Sequence, residues 1–364
     1  EKLYYKDRYL KEFTANIIEY KKEDNKHSVV LDRTAFFPGG GGQWCDLGYI
    51  DEIRVLNVIE DKNKIYHILE SEPKRTENIK CTIDWSRRFD GMQQHLGQHL
   101  LSGCFYTLFN ANTCGIHIGN EISTVDIVGT IEEEKIREAE KMANRVICEN
   151  HKVEFLMTNR KEAKKMGLRR DLATKDDEIR IVKIDDIDIN ACCGIHPNNT
   201  LDLQLIKIKG FEKHKGNTRI TYLTGSRAIK DYLHRDFVLD NIMKILNKQK
   251  KALNGSKVLV MGLAYKNDID DYRESPSFKV IELLEKNGAD VIVNDPFCDT
   301  ARYKGKTYNS VDWKEVIDES DIVVITTGHT VYDYQEIVDR SKVVYDTRNA
   351  TKDVINNREK IYKL

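Results

Sequence analysis

No stretch of this chain approaches the roughly 18 consecutive apolar residues of a membrane helix, and no signal-peptide pattern opens it, so no membrane partner is expected. Cysteine is sparse. Eight in 364 residues are too few for a disulfide scaffold and leave thiols or metal ligands in a cytoplasmic setting. A basic excess is missing too. The net charge is -1, so any contact with RNA must come from a local patch and not from the overall balance. Internal repeats and low-complexity segments are absent, which excludes solenoids and arrays.

What is present fits a soluble globular protein. A length of 364 residues exceeds what one core usually serves, so two or three domains are expected. Charged residues at 32% exceed the usual quarter, which predicts exposed helices with Lys/Glu-rich faces.

The first 70 residues read as β, with short β-branched or apolar runs at 14–20, 28–32, 53–59 and 65–70 separated by polar turns at 23–25 and 61–64. A small barrel is expected, its longest loop carrying Pro38 and Gly39-Gly40-Gly41-Gly42-Gln43. A strand at 79–85 leads into a helix near 87–108. A second helix follows Thr130, with Glu133 three residues on in a capping-box pattern and Ile136, Ala139, Ala143, Val146 and Ile147 at helical spacing. Strands at 153–157, 179–184, 203–208 and 218–223 make this middle segment α+β. One helix spans most of 226–253. Beyond Gly255, strands at 257–261, 290–294, 321–326 and 342–346 alternate with helical stretches. The helix at 276–287 starts at Ser275-Pro276 and stops before Gly288, and such alternation predicts a parallel sheet covered on both faces. The expected division is 1–78, 79–232, a helical linker at 233–254, and 255–364.

His95 and His99, four apart on a predicted helix, present both imidazoles on one face. Cys192 and His196 lie in a turn after the 179–184 strand, flanked by Gly194 and Pro197. Three nitrogens and one sulfur suit Zn²⁺. Either pair alone can arise by composition, whereas both in one segment favour a metal site. The four glycines allow backbone N–H groups to converge on an anion, or they form a plain turn; four in a row exceed what a turn needs. Lys161, Lys164, Lys165, Arg169 and Arg170 fit a phosphate-tracking face or a merely solvated one, with acidic Asp176, Asp177 and Glu178 close behind.

Four ordered motifs carry a resemblance: Thr34-Ala35-Phe36-Phe37-Pro38 with the glycines and Gln43; Asp84-Trp85-Ser86-Arg87-Arg88 with Met92-Gln93-Gln94-His95-Leu96-Gly97-Gln98-His99; Cys192-Cys193-Gly194-Ile195-His196-Pro197; and Arg219-Ile220 with Gly225-Ser226-Arg227-Ala228. Over about 230 residues the chain resembles the AlaX family of free-standing alanyl-tRNA editing proteins. The resemblance implies an α+β editing module, a small β-barrel plus a zinc domain, that hydrolyses seryl or glycyl esters of tRNA(Ala). It implies Zn²⁺ on His95, His99, Cys192 and His196, the acceptor end at Gly39, Gly40, Gly41, Gly42 and Gln43, and pocket roles for His117 and Gln98, the latter donating to the substrate carbonyl. The alternative for His117 is a hydrogen-bonded histidine at a strand edge, and for Gln98 a solvated helix residue. Two departures matter: Leu96 stands where the family often has Thr, and Cys193 replaces a Gly and competes with Cys192. Four protein ligands describe a closed site, which leaves open whether zinc is catalytic or orienting.

A second resemblance begins near Gly255. Lys257 to Lys266, Asp268, Asp270-Asp271-Tyr272-Arg273-Glu274-Ser275-Pro276 and Asp346-Thr347-Arg348-Asn349 are similar to the C-terminal UDP-binding domain of UDP-glucose/GDP-mannose dehydrogenases. It implies an α/β Rossmann-like domain, with Lys266 and Arg273 near a UDP-sugar or other nucleotide. Gly262 stands without the Gly-x-Gly-x-x-Gly spacing, and the family's catalytic Cys has no counterpart, so hydride transfer is not expected. The chain reads as a fusion of two modules. The alternative function is a nucleotide-sugar dehydrogenase relative that retains only this domain.

Overall fold

The computed structural model describes residues 1–23, 26–172, 177–273 and 275–364, with backbone alone at 234–236. The expected turn at Asp24 and Asn25, the acidic Asp176 and the motif residue Glu274 lie outside the described residues. The chain forms two compact units, Glu1–Ile229 and Lys230–Leu364.

The first unit opens with a short helix, α1 (Leu3–Lys6). Strands β1 (Glu12–Ala15), β2 (Ile17–Glu23), β3 (Lys26–Leu31), β4 (Gly48–Ile50), β5 (Ile53–Asp61), β6 (Lys64–Leu69) and β7 (Ile79–Ile83) follow. They form one antiparallel sheet in the order β1-β7-β4-β5-β6-β3-β2. Period-two alternation sets its buried face; in β7 Ile79, Cys81 and Ile83 face the core and Lys80 faces solvent. The strand expected over 14–20 is broken at Asn16, whose backbone N–H (2.9 Å) and side-chain amide (3.0 Å) both donate to Asp32. Its halves pair with different neighbours, β1 with β7 and β2 with β3.

Helix α2 (Trp85–Phe109) starts at Asp84, which accepts the Arg87 N–H at 3.1 Å, and ends at Asn110 in the left-handed region. It is buried nearly all round from Arg88 to Phe105 because it belongs to two cores. Met92 packs with the seven-stranded sheet, while Leu96, Leu100, Leu101 and Phe105 pack with the layer that follows. That layer contains β8 (Thr113–Ile118), β9 (Ser123–Ile127), α3 (Glu133–Glu149), β10 (Val153–Asn159), the short α4 (Arg160–Ala163), β11 (Glu178–Ile184), β12 (Asp188–Ala191), β13 (Ile206–His214) and β14 (Asn217–Thr224). Two antiparallel sheets result, β10-β11-β12 and β13-β14-β9-β8. The five residues expected on the apolar face of α3 are all buried in its core. The capping box from Thr130 does not form. Ile131 N–H is held by Thr218 Oγ1 at 2.9 Å, so the chain stays pinned to β14 and the helix begins at Glu133. The strand expected at 203–208 begins only at Ile206, Thr200–Leu203 forming a tight turn instead.

Helix α5 (Ser226–Lys248) precedes the parallel sheet of the second unit. Strands β15 (Lys257–Met261), β16 (Asp290–Asn294), β19 (Ile322–Ile325), β20 (Val344–Asp346) and β21 (Ile361–Lys363) are all parallel, in the order β16-β15-β19-β20-β21. In β15, Val258 and Val260 pack on one side with α6 (Ser277–Lys286), and Leu259 and Met261 on the other with α7 (Trp313–Val316) and α8 (Tyr334–Arg340), as expected of a sheet covered on both faces. A hairpin of β17 (Thr300–Tyr303) and β18 (Lys306–Asn309) is inserted after β16. Loops at the carboxyl ends of the strands are locked by the buried His329, which donates Nε2–H to Asp295 at 3.0 Å and accepts the Asp268 N–H at 2.9 Å. Among the described residues, no helix is long and apolar enough to cross a membrane.

Candidate metal centre

His95 and His99 sit on consecutive turns of α2, and Cys192 and His196 in the loop directly after β12. That strand, and not β11, delivers the cysteine; with only four residues, two of them polar, it has no counterpart in the expected strands. One donor atom from each of the four lies within 4.8 Å of every other. Cys192 Sγ is 3.4 Å from His95 Nε2 and 3.7 Å from His196 Nε2. Bonds of ~2.3 Å to sulfur and ~2.05 Å to nitrogen at a tetrahedral angle set a ligand separation of about 3.6 Å, so this donor set fits Zn²⁺.

The outer atoms of the ligands are held. His95 Nδ1–H donates to Gln43 Oε1 at 3.1 Å, and His99 Nδ1–H to Asp188 Oδ2 at 2.7 Å. Both rings therefore turn Nε2 inward. Gly194 N–H points at Cys192 Sγ from 3.4 Å. Arg180 donates to the carbonyls of Cys192 (2.9 Å) and Gly194 (2.7 Å), its guanidinium lying between the rings of Tyr5 and Phe155. Burial pushes the Cys192 thiol up, but the imidazoles of His95 and His196 outweigh it and hold it well below the ordinary thiol range. Burial pulls His99 down, and the hydrogen bonds to Asp188 and Cys192 carry it up to about 9. Burial and the neighbouring His95 keep His196 well below its ordinary value. A thiolate beside a neutral imidazole is the form a cation binds.

A cavity of about 520 Å³ opens on this cluster, walled by His95, His99 and Cys192 with Gly41, Gln98 and Arg180. Of the four glycines only Gly41 lines it. Gly40 and Gln43 exchange backbone hydrogen bonds at 3.0 Å, closing a tight turn over Gly41 and Gly42, both at positive φ. Gln43 is placed otherwise than expected for a substrate contact: its Oε1 accepts from both His95 and Ile195 N–H, so it holds the candidate ligand His95. Gln98 lines the cavity, but its amide N–H₂ donates to Ser102 Oγ at 2.8 Å, away from the expected carbonyl. His117 is exposed on β8 and does not line the cavity; alternation along the strand sends its neighbour Ile116 there instead. Leu96 is fully buried in the apolar core, outside the cavity wall. Cys193 lies outside the cluster, its carbonyl accepting from Tyr5 OH at 2.7 Å.

The basic stretch is divided. Arg169 turns inward onto Asp188 at 2.6 Å, Lys165 pairs with Glu162, and Arg170 lines the main cavity. Lys161 and Lys164 line a separate surface cavity of about 480 Å³. In the second unit Lys266 is exposed, and Arg273 is tied to the Asp271 carboxylate at 2.9 and 3.0 Å. Sequence reasoning missed Asp188, Arg180 and Tyr5. A carboxylate behind a ligand histidine is a general expectation, but spacing does not say which one.

Three family models match parts of the chain. Residues 3–87 match tRNA synthetases class II (A), residues 179–221 the threonyl and alanyl tRNA synthetase second additional domain, and residues 259–353 the UDP binding domain of the UDP-glucose/GDP-mannose dehydrogenase family. The chain is 37% identical over 238 residues to "Alanyl-tRNA editing protein AlaX-L" of Pyrococcus horikoshii, covering 63% of this chain and 59% of that protein, less than two thirds of its length. It is 33% identical over 338 residues to "Alanyl-tRNA editing protein Aarsd1" of Rattus norvegicus, covering 79% and 78%. Among solved structures, an NDP-N-acetyl-D-galactosaminuronic acid dehydrogenase from Methanosarcina mazei matches at 26% identity, covering 38% of this chain and 30% of that one with a TM-score of 0.32, too low to speak to the fold.

Proposed function

The chain belongs to the family of alanyl-tRNA editing proteins, and we propose on that footing that it hydrolyses mischarged tRNA(Ala), releasing serine or glycine from the terminal ribose as a trans-editing deacylase. The observation that carries this reading is the convergence of His95, His99, Cys192 and His196 in one cluster, three of which, His95, His99 and Cys192, stand on the wall of one cavity. Its volume of about 520 Å³ lies inside the range of small-molecule sites, ~300–1,000 Å³, and suits an aminoacylated terminal nucleoside.

An aminoacyl ester is already activated, so positioning and charge stabilisation are what its hydrolysis requires. When bound, Zn²⁺ supplies positive charge beside the ester. The protein's own groups do the rest. Gln43 and Asp188 fix the ligand rings, and Arg180 fixes the cysteine loop. The turn at Gly41 brings backbone to the cavity wall, where Arg170 offers positive charge to the acceptor end and Lys2 stands paired with Glu60. Gln98 is one of the neutral polar groups on the same wall, with Asn190 and Tyr5, and His117 stands off it.

Within this proposal the seven-stranded sheet is a small barrel (1–78), 79–232 is the zinc-binding α+β domain, 233–254 the linker and 255–364 an accessory domain. That domain takes a UDP-sugar or other nucleotide near Lys266 and Arg273, and the setting is cytoplasmic. The test is metal content together with deacylation of serylated and glycylated tRNA(Ala) by the purified chain. About one zinc per chain and ester release are expected, both lost in His95→Ala and His99→Ala. Full activity in those variants, or cleavage of neither ester by the unsubstituted chain, sinks the reading.

A further inference from the structure

A buried polar circuit runs along the cavity wall and returns to the helix where it starts. His99 donates to Asp188 Oδ2 at 2.7 Å. Asp188 Oδ1 accepts from Arg169 Nε at 2.6 Å and from Asn190 at 2.7 Å. The same guanidinium reaches Thr113 Oγ1 through Nη1 at 3.2 Å. Thr113 Oγ1 donates to Ser102 Oγ at 2.8 Å, and Ser102 Oγ accepts from Gln98 Nε2 at 2.8 Å. Asp188, Arg169, Thr113, Ser102, Gln98 and His99 are all buried. Gln98 and His99 are neighbours on α2, so the circuit closes on two adjacent residues that both face the cavity.

Its polarity has a source. A guanidinium donates and never accepts. Thr113 Oγ1 therefore receives from Arg169 and sends its own proton to Ser102, which meets the Gln98 amide as an acceptor. One N–H of the Gln98 amide is taken inside the protein. Its carbonyl Oε1 makes no hydrogen bond among the described residues and is not fully occluded, on a residue that lines the cavity. A side chain only 3% exposed thus offers the cavity a free acceptor.

We propose that Arg169 is a positioning residue with two arms, one setting the metal ligand His99 through Asp188, the other setting Gln98 through Thr113 and Ser102, so that Gln98 Oε1 accepts an N–H or O–H of the bound aminoacyl group. Arg169, one of the basic residues that spacing marks for phosphate, spends its Nε and Nη1 on interior partners. The part concerning substrate rests on the proposed deacylation; the part concerning metal does not.

The test uses the full chain, with zinc affinity from competition with a chromophoric chelator and kcat and KM on seryl-, glycyl- and N-acetylseryl-tRNA(Ala). Arg169→Lys and Asp188→Asn weaken zinc binding by about ten- to a hundredfold. Thr113→Val and Gln98→Met leave the zinc Kd within about twofold and lower kcat/KM, on the order of tenfold or more, whereas Thr113→Ser restores it. The Thr113→Val/Gln98→Met double variant is no worse than Gln98→Met alone, because both cut one chain. If Oε1 takes the serine hydroxyl, Gln98→Met lowers kcat/KM on the seryl ester and spares the glycyl one. If it takes the α-ammonium, the variant erases the difference between seryl and N-acetylseryl esters instead. Additive losses in the double variant, unchanged kinetics in Gln98→Met, or undiminished zinc affinity in Arg169→Lys overturn the proposal. Should the unsubstituted chain cleave no ester, the deacylase reading falls, and the zinc measurements still decide the Asp188 arm.

Discussion

A Cβ placed on Gly194 would lie 2.2 Å from Cε1 and 2.3 Å from Nδ1 of His95. The residue after the paired cysteines must be glycine because a ligand ring occupies the space of any side chain. Gly194→Ala is therefore expected to push His95 off its partners and weaken zinc binding by about tenfold or more, read by chelator competition. His67 carries a different prediction. It is fully buried, with Nδ1–H on Val29 O at 3.2 Å and Nε2 accepting from Thr34 at 2.9 Å, and burial lowers its pKa from 6.5 to about 4. The unfolded chain takes up a proton below pH 6.5 that the folded chain refuses until about pH 4. The stabilising contribution is complete above that window and is lost as the pH falls through it, about 3 kcal/mol in all. Urea titrations across pH 4–7 should show this slope, and His67→Gln should flatten it.

At the level of elements, α2 and the glycine loop are joined by the buried pair Arg88–Asp46, with side chains 0% and 3% exposed. Arg88 also donates to the Arg8 carbonyl at 3.0 Å and to the Ala35 carbonyl, and Asp46 accepts the Phe37 N–H at 2.6 Å. Removing one partner leaves a buried charge alone, so Arg88→Met should cost about 3–5 kcal/mol in urea unfolding. Replacing both by apolar residues should cost less. The long elements were legible in sequence because their periodicity is strong: α2, α3 and the parallel strands β15 and β16 fall where spacing places them. The four-residue donor cluster was legible because His95 and His99 share a helix face and Cys192 and His196 share a loop. What escaped had no local signal. β12 holds only Asp-Ile-Asn-Ala, and β8 and β9 lie in a polar stretch where their pairing with each other and with β14 supplies the stability. The reach of Arg169 to Asp188, nineteen positions on, depends on a turn that no pattern announces.

For the molecule as a whole, two units with separate apolar cores predict two calorimetric transitions. Every candidate metal ligand belongs to the first, so a chelator should lower one transition and leave the other in place. A single merged transition that shifts as one would contradict this. The donor set is also split along the chain, two ligands on α2 and two after β12. A nascent polypeptide halted before β12 owns only a pair of imidazoles, which bind a cation weakly and without a cage. Ion uptake must wait until the β10-β11-β12 sheet has brought the loop after β12 to α2, so occupancy of the centre reports that these two distant segments have met.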